Sequence, residues 1–243
     1  MGKPKLTLAR KELAQRKPTK LKVVKPALKK TFRYRPTFSL QDTILLVGEG
    51  NFSFSLALAE MIHGGFEMHC TTFDSEEIML QKYPQSQEIT SSLLEIGATV
   101  HYKVDGTELT KHLKKKRFSK IIFNFPHVGK GIKDMHRNIL ANQELIRGFL
   151  VSASEHLTST ERGDECNGEI YLSVKTGEPY DSWMLKSLYA SAGLVCKRSF
   201  EFVPADYPGY EHRRTLGFDE RYSATGNEEI TKNPPKMFIL IRK

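Results

Sequence analysis

The chain has 243 residues, 39% of them hydrophobic, and carries 37 Lys+Arg against 28 Asp+Glu, a formal charge of +9. That length suits one domain with a sizeable core and makes a second full domain cramped. The longest strongly apolar runs, 44–47 and 238–241, fall far short of the roughly 20 residues that span a bilayer, so a soluble protein with no membrane partner is expected. Cys70, Cys166 and Cys196 are odd in number and widely spaced, with no Cys-x-x-Cys pair, which argues against a disulfide framework or zinc site and for a reducing compartment.

Positive charge is concentrated at one end. Residues 1–35 hold 13 basic residues and a single acid, Glu12, which leaves 24 basic against 27 acidic residues beyond Arg35. Lys17-Pro18 and Lys25-Pro26 oppose continuous helix, and the stretch has too little apolar surface to offset its ordering entropy. Residues 1–36 are therefore expected to be a disordered basic tail, and residues 37–243 the folded domain. Clustered cations suit a nucleic-acid tether or a nuclear or nucleolar address, with a solvated linker and a cytoplasmic location as the alternatives.

From residue 43 the pattern alternates. A buried strand over 43–47 runs into Gly48-Glu49-Gly50-Asn51-Phe52-Ser53, and Phe54, Leu58, Met61 and Ile62 then share one helical face that ends at Gly64-Gly65. A strand over 67–73 stops at Asp74, and helices follow over 76–83 and 87–96. The third strand, 99–104, stops at Asp105; a basic helix over 108–116 leads to the fourth strand, 120–123. A long helix is expected over 133–157, a strand over 169–174, a helix over 182–192, and two closing strands over 194–202 and 236–242. Alternating β and α elements imply an α/β fold of Rossmann type, a mostly parallel sheet with helices on both faces; by fold-level analogy the terminal run can insert into it as an antiparallel strand.

In such sheets ligands bind beyond the carboxyl ends of the strands. Gly48 and Gly50 permit a tight turn and close backbone approach to a nucleotide, with Glu49, Asn51, Phe52 and Ser53 in the same loop. Asp74 suits ribose hydroxyls and Asp105 an adenine amino group. Nicotinamide and S-adenosylmethionine folds share these features. The fourth strand end, Asn124-Phe125-Pro126-His127, stands where many amino-methyltransferases carry an Asn/Asp-Pro-Pro-aromatic motif that holds a nucleobase N–H.

Together, 44–55 (ILLVGEGNFSFS) and 123–134 (FNFPHVGKGIKD), followed by 177–183 (GEPYDSW) and 207–215 (YPGYEHRRT), resemble the BMT5-like family of Rossmann-type RNA methyltransferases. The resemblance runs from about residue 43 to the C-terminus. It departs from the wider methyltransferase pattern at Leu46, where an acid is usual, and at Ser53, where a third glycine is usual.

The resemblance implies S-adenosylmethionine as cofactor, held by residues 48–53, Asp74, Asp105 and Asn124. It also implies methyl transfer to N3 of a uridine in large-subunit ribosomal RNA, free or in a pre-ribosomal particle. His127 is then the candidate base, since imidazole titrates closest to neutrality, and Asn124 orients the imide; alternatively water takes the proton and His127 shapes the pocket. Phe125, Pro126, Lys130, Tyr210, His212, Arg213 and Arg214 are the expected RNA contacts, through stacking and phosphate binding. A monomer is expected, as no heptad pattern appears. A non-catalytic RNA-binding assembly factor on the same fold and a nucleotide-binding dehydrogenase are the competing classes.

Overall fold

A computed structural model describes residues 33–159, 168–215, 230 and 234–243. The expected tail through residue 32, and Cys166, lie outside the described residues. All elements below belong to the unit that starts at Pro36.

Strands and helices follow one another along the described residues: β1 (Ile44–Val47), α1 (Ser53–Met61), β2 (Met68–Thr71), α2 (Glu76–Lys82), α3 (Ser86–Glu95), β3 (Thr99–His101), α4 (Leu109–Leu113), β4 (Lys120–Asn124), α5 (Met135–Glu155), β5 (Glu169–Val174), α6 (Leu185–Ser191), β6 (Leu194–Glu201) and β7 (Lys236–Arg242). The sheet order is β3-β2-β1-β4-β5-β7-β6. β1 to β5 pair in parallel, and β7 lies antiparallel between β5 and β6. The chain reverses direction across the sheet beside β1, so β1 and β4 flank the switch point, where ligand crevices open.

Register explains the two cores. Leu45, Ile121, Ile170 and Leu240 form one cross-strand row, and Cys70, Leu46, Ile122, Tyr171 and Ile239 form the neighbouring row on the other face. The first row joins Ile146, Phe149, Leu150 and Ala153 of α5, with Leu109 and Leu113 of α4. Every member is buried, and each Leu, Ile or Phe among them contributes roughly 1.5–3 kcal/mol. Near the start of β5, Glu169 is held by Lys120 (2.7 Å), Lys197 (2.9 Å) and the Tyr171 hydroxyl (2.6 Å). Burial pushes that carboxyl up, but these hydrogen bonds together hold it at about 2.

Several elements end sooner than expected, each for a local reason. β3 stops at His101 because Lys103 turns left-handed (φ 58°), and the N–H groups of Lys103 and Val104 bond Asp74 and Thr72 carbonyls. The basic helix ends at Leu113, and Lys114 leaves it at φ 52°. The helix expected over 182–192 divides at Met184 (φ 52°) into a 3-10 turn, Asp181–Trp183, and α6. α5 starts at Met135 because the Asp134 carboxylate accepts the Arg137 N–H at 2.8 Å.

Candidate functional site

β1 enters the loop at Gly48, whose φ is +67°; a Cβ there would lie 2.4 Å from the Phe123 ring of the neighbouring strand. Only glycine fits both the torsion and the space. Glu49 and Asn51 turn back toward the chain. Glu49 Oε2 accepts the Ser55 N–H (3.2 Å) and hydroxyl (2.9 Å), and Asn51 Oδ1 accepts the Ser53 N–H (3.2 Å) and hydroxyl (2.8 Å). Both therefore serve the first turn of α1. Burial pushes the Glu49 carboxyl up to about 7, against the two Ser55 hydrogen bonds.

Asp74 and Asp105 lie beyond the ends of β2 and β3, as expected. Lys82 Nζ grips both Asp74 oxygens (2.9 and 2.7 Å), and Asp105 Oδ1 accepts the Thr107 N–H (2.8 Å) and hydroxyl (2.7 Å). Phe73, immediately before Asp74, is 68% exposed. The sequence disguised this bare ring as the last residue of a strand.

The β4 end is the most constrained part of the site. The Ser173 hydroxyl of β5 donates to Asn124 Oδ1 at 2.7 Å, and the Phe125 N–H donates to the Ser173 carbonyl at 2.9 Å. Asn124 Nδ2 is buried and makes no hydrogen bond among the described residues. Phe125 is left-handed (φ 55°), a conformation that costs a bulky residue about 1–2 kcal/mol. Its ring is clasped between Phe202 (5.3 Å) and His212 (4.5 Å), which holds it there. Past buried Pro126, the chain is pinned again: Asn142 of α5, fully buried, accepts the Val128 N–H at 3.0 Å and donates to the Asn138 carbonyl at 2.9 Å. His127 is exposed, and its Nδ1 accepts the Gly129 N–H at 3.0 Å. Lys130 is exposed a few residues on.

Residues 207–215 close over the glycine loop. Ser53 Oγ, whose proton goes to Asn51, accepts the Glu211 N–H (3.0 Å), while the Tyr83 hydroxyl donates to the Arg214 carbonyl. Tyr210 packs on Phe54 (5.4 Å) and Phe202 (5.9 Å), and its hydroxyl meets His212 Nδ1 at 3.1 Å. Burial, then the Glu49 carboxylate, pushes that phenol well above its usual range. Arg213 is ion-paired with Glu211. Tyr210 and Arg213 are thus engaged within the protein, and the segment brings His212 and Phe125 face to edge above the β4 turn.

Sequence reasoning missed Ser173 and Asn142. Each had a signal: a serine hydroxyl between Leu172 and Val174 in the wholly buried run Glu169–Val174, and an amide on the apolar stripe that carries Ile139 and Ile146.

These residues fit S-adenosylmethionine. The strand ends offer a glycine-forced backbone turn, a carboxylate beside an exposed aromatic ring, and a buried unsatisfied amide next to them.

Comparison with known proteins gives the same result. An uncharacterized protein of Arabidopsis thaliana (At4g26485) is 36% identical over 74% of this chain and 85% of its own length. The 25S rRNA (uridine(2634)-N(3))-methyltransferase of Saccharomyces cerevisiae is 32% identical over 73% of this chain and 67% of its own. In fold, NSun6 from Pyrococcus horikoshii, solved with SFG, superposes with a TM-score of 0.52 at 13% identity, over 84% of this chain and 48% of that one. Residues 45–214 match the family described as BMT5-like, rRNA (uridine-N3-)-methyltransferase BTM5-like. The chain belongs to this BMT5-like family and is an S-adenosylmethionine-dependent rRNA methyltransferase.

Proposed function

We propose that this protein methylates N3 of a uridine in large-subunit ribosomal RNA. The observation that carries the reading is the adjacency of two family segments. Val47 pairs with Phe123 in the sheet, so the glycine loop that follows β1 and the Asn124–His127 turn that follows β4 open side by side. A donor held by one lies next to a base held by the other.

When bound, S-adenosylmethionine supplies an electrophilic methyl group on a cationic sulfur. The backbone of residues 48–53 approaches it from one side; Asp74, Asp105 and Phe73 suit its ribose, adenine amino group and adenine face. Transfer would break the methyl–sulfur bond with its electron pair left on sulfur, and solvent would take the N3 proton. The chain contributes orientation, since a well-aligned encounter removes much of the entropic barrier. N3 lies on the Watson–Crick edge, so the target uridine is unpaired or flipped out of its helix.

Exposed Lys130, with half-buried His212 and Arg214, supports RNA contact at the rim of this turn. The 13 basic residues of the first 35 support a general tether to RNA and a nuclear or nucleolar location. Methyl transfer from labelled cofactor to large-subunit ribosomal RNA, followed by nucleoside analysis, tests the reading. Label in 3-methyluridine is expected; label confined to another nucleoside refutes it.

A further inference from the structure

Residues 207–215 form a strap that touches both the glycine loop and the β4 turn. At the loop, the buried side chains of Asn51 and Ser53 meet the strap through one residue, Glu211. The Ser53 hydroxyl donates to Asn51 Oδ1 at 2.8 Å, so its oxygen is left to accept the Glu211 N–H at 3.0 Å. Asn51 Nδ2 closes the ring by donating to Glu211 Oε2 at 3.5 Å. The next residue, Phe54, packs on Tyr207 (4.7 Å) and Tyr210 (5.4 Å) of the same strap. At the β4 turn, His212 lies 4.5 Å from the ring of the left-handed Phe125. The glycine that is usual at position 53 would leave the Glu211 N–H without this acceptor, so the serine has a use that a cofactor loop alone does not require.

We propose that Ser53 and Asn51 are positioning residues that couple the cofactor loop, through Glu211, to the strap and the β4 turn, so that S-adenosylmethionine and RNA bind cooperatively. The inference rests on the functional reading above, in which the strap rims the RNA site.

A closed ring of hydrogen bonds strengthens its own members and holds them to one arrangement. The backbone of residues 48–53 is the part of the chain that approaches the cofactor, so the cofactor favours the loop arrangement that closes the ring. RNA favours the strap arrangement that the ring holds. Each ligand therefore raises the population that the other binds, and by linkage the two effects are equal. The strap carries the turn with it, because His212 is one of the two rings that clasp Phe125; a strap released from Ser53 withdraws that ring and leaves Phe202 alone against a strained residue.

Calorimetry of S-adenosylhomocysteine binding to the full-length protein, without RNA and with large-subunit ribosomal RNA well above its KM, reads the coupling as a ratio of two dissociation constants. Basic residues that hold RNA whatever the cofactor site contains cancel from that ratio. Wild type is expected to bind at least about fivefold more tightly with RNA. Ser53→Ala removes the acceptor of the Glu211 N–H. Asn51→Asp keeps the acceptor for Ser53 but sets a carboxylate against that of Glu211. Both should bring the ratio to within about twofold of one and raise the KM for RNA by at least about fivefold. Glu211→Gln added to Asn51→Asp removes the repulsion and donates an amide N–H in the opposite direction, so it should return the ratio to at least about threefold. The two variants at position 51 keep the test decisive if Ser53→Ala fails to fold.

A wild-type ratio near one overturns the coupling, as does a wild-type ratio in Ser53→Ala or in Asn51→Asp. So does a double variant no better than Asn51→Asp alone, since a purely structural defect at position 51 would not be repaired from the strap. Those results leave 3-methyluridine as the wild-type product and the functional reading intact. A wild-type product other than 3-methyluridine, with the ratios as expected, overturns the functional reading and leaves the coupling.

Discussion

Glu49→Gln should stabilise the protein in the absence of cofactor, and only on the alkaline side. The carboxyl is buried in the glycine loop and pushed from its ordinary 4.5 to about 7. Between those values the folded state holds a proton that the unfolded chain has released, so stability falls as pH rises from 4.5 to 7. At about 1.4 kcal/mol per pKa unit, the full loss is about 3 kcal/mol. The first turn of α1 offsets part of it, because a negative charge near helix N–H groups gains up to about 1 kcal/mol. Desolvation wins by roughly 2 kcal/mol. Glutamine keeps an oxygen for the Ser55 N–H and hydroxyl but cannot ionise. Paired thermal melts of wild type and variant from pH 4.5 to 8.5 should coincide at the acidic end and diverge above pH 7, the variant melting higher by about 4–8 °C. A difference that does not change with pH, or a variant less stable at pH 8, would refute the burial argument.

Asn142→Leu keeps the volume but leaves the Val128 N–H without its acceptor, so it should cost about 1–3 kcal/mol in urea unfolding. It should also lower kcat while the cofactor-induced melting shift stays; equal loss of both would mean general misfolding. His69 should stay neutral well into acid. Burial, then Lys116 and His101, lowers it to about 4, and its Nε2 accepts from the Lys116 ammonium (3.2 Å) while its Nδ1 meets His101 Nε2 (2.8 Å). Its contribution to stability is therefore complete above pH 6.5 and lost as pH falls from there to 4. An NMR titration that places His69 near 6.5 would contradict this. Asp74→Asn and Asp105→Asn should each weaken S-adenosylmethionine binding by at least about fivefold in calorimetry, from one lost charge-assisted hydrogen bond. Unchanged affinity in both would remove these carboxylates from the cofactor site.

Most of the fold was legible because two periodicities carried it. Ile44–Val47, Glu169–Val174 and Lys236–Arg242 are short β-rich runs bounded by polar residues, and the stripe through Ile146, Leu150 and Ala153 repeats at helical spacing. The insertion of β7 was expected by fold analogy, and the burial of Met237, Ile239 and Leu240 agrees with it. Element ends were less legible. Lys103, Lys114 and Met184 adopt left-handed torsions without being glycine, and no local signal in side-chain type marks them.

The site divides along the same line. Which strand ends hold Gly48, Asp74, Asp105 and Asn124 follows from strand order alone, but what each polar atom faces does not. Glu49 and Asn51 stand at loop positions that suit a ligand, yet they spend their oxygens on the amides of α1, because a helix that begins inside a buried turn must find acceptors for its first N–H groups nearby. Ser173 is 49 positions from Asn124 and decides which end of that amide is left over. The polarity that this strand end presents is thus set by a neighbour in the sheet, not by the residue itself. An asparagine reads the same in sequence whether it will accept from an amine or donate to a carbonyl, and the residue that resolves this is the serine between Leu172 and Val174 in β5. A polar side chain that interrupts an apolar row has to be accounted for by something it holds. Here Ser173 holds Asn124, and Asn142 holds the backbone that carries His127.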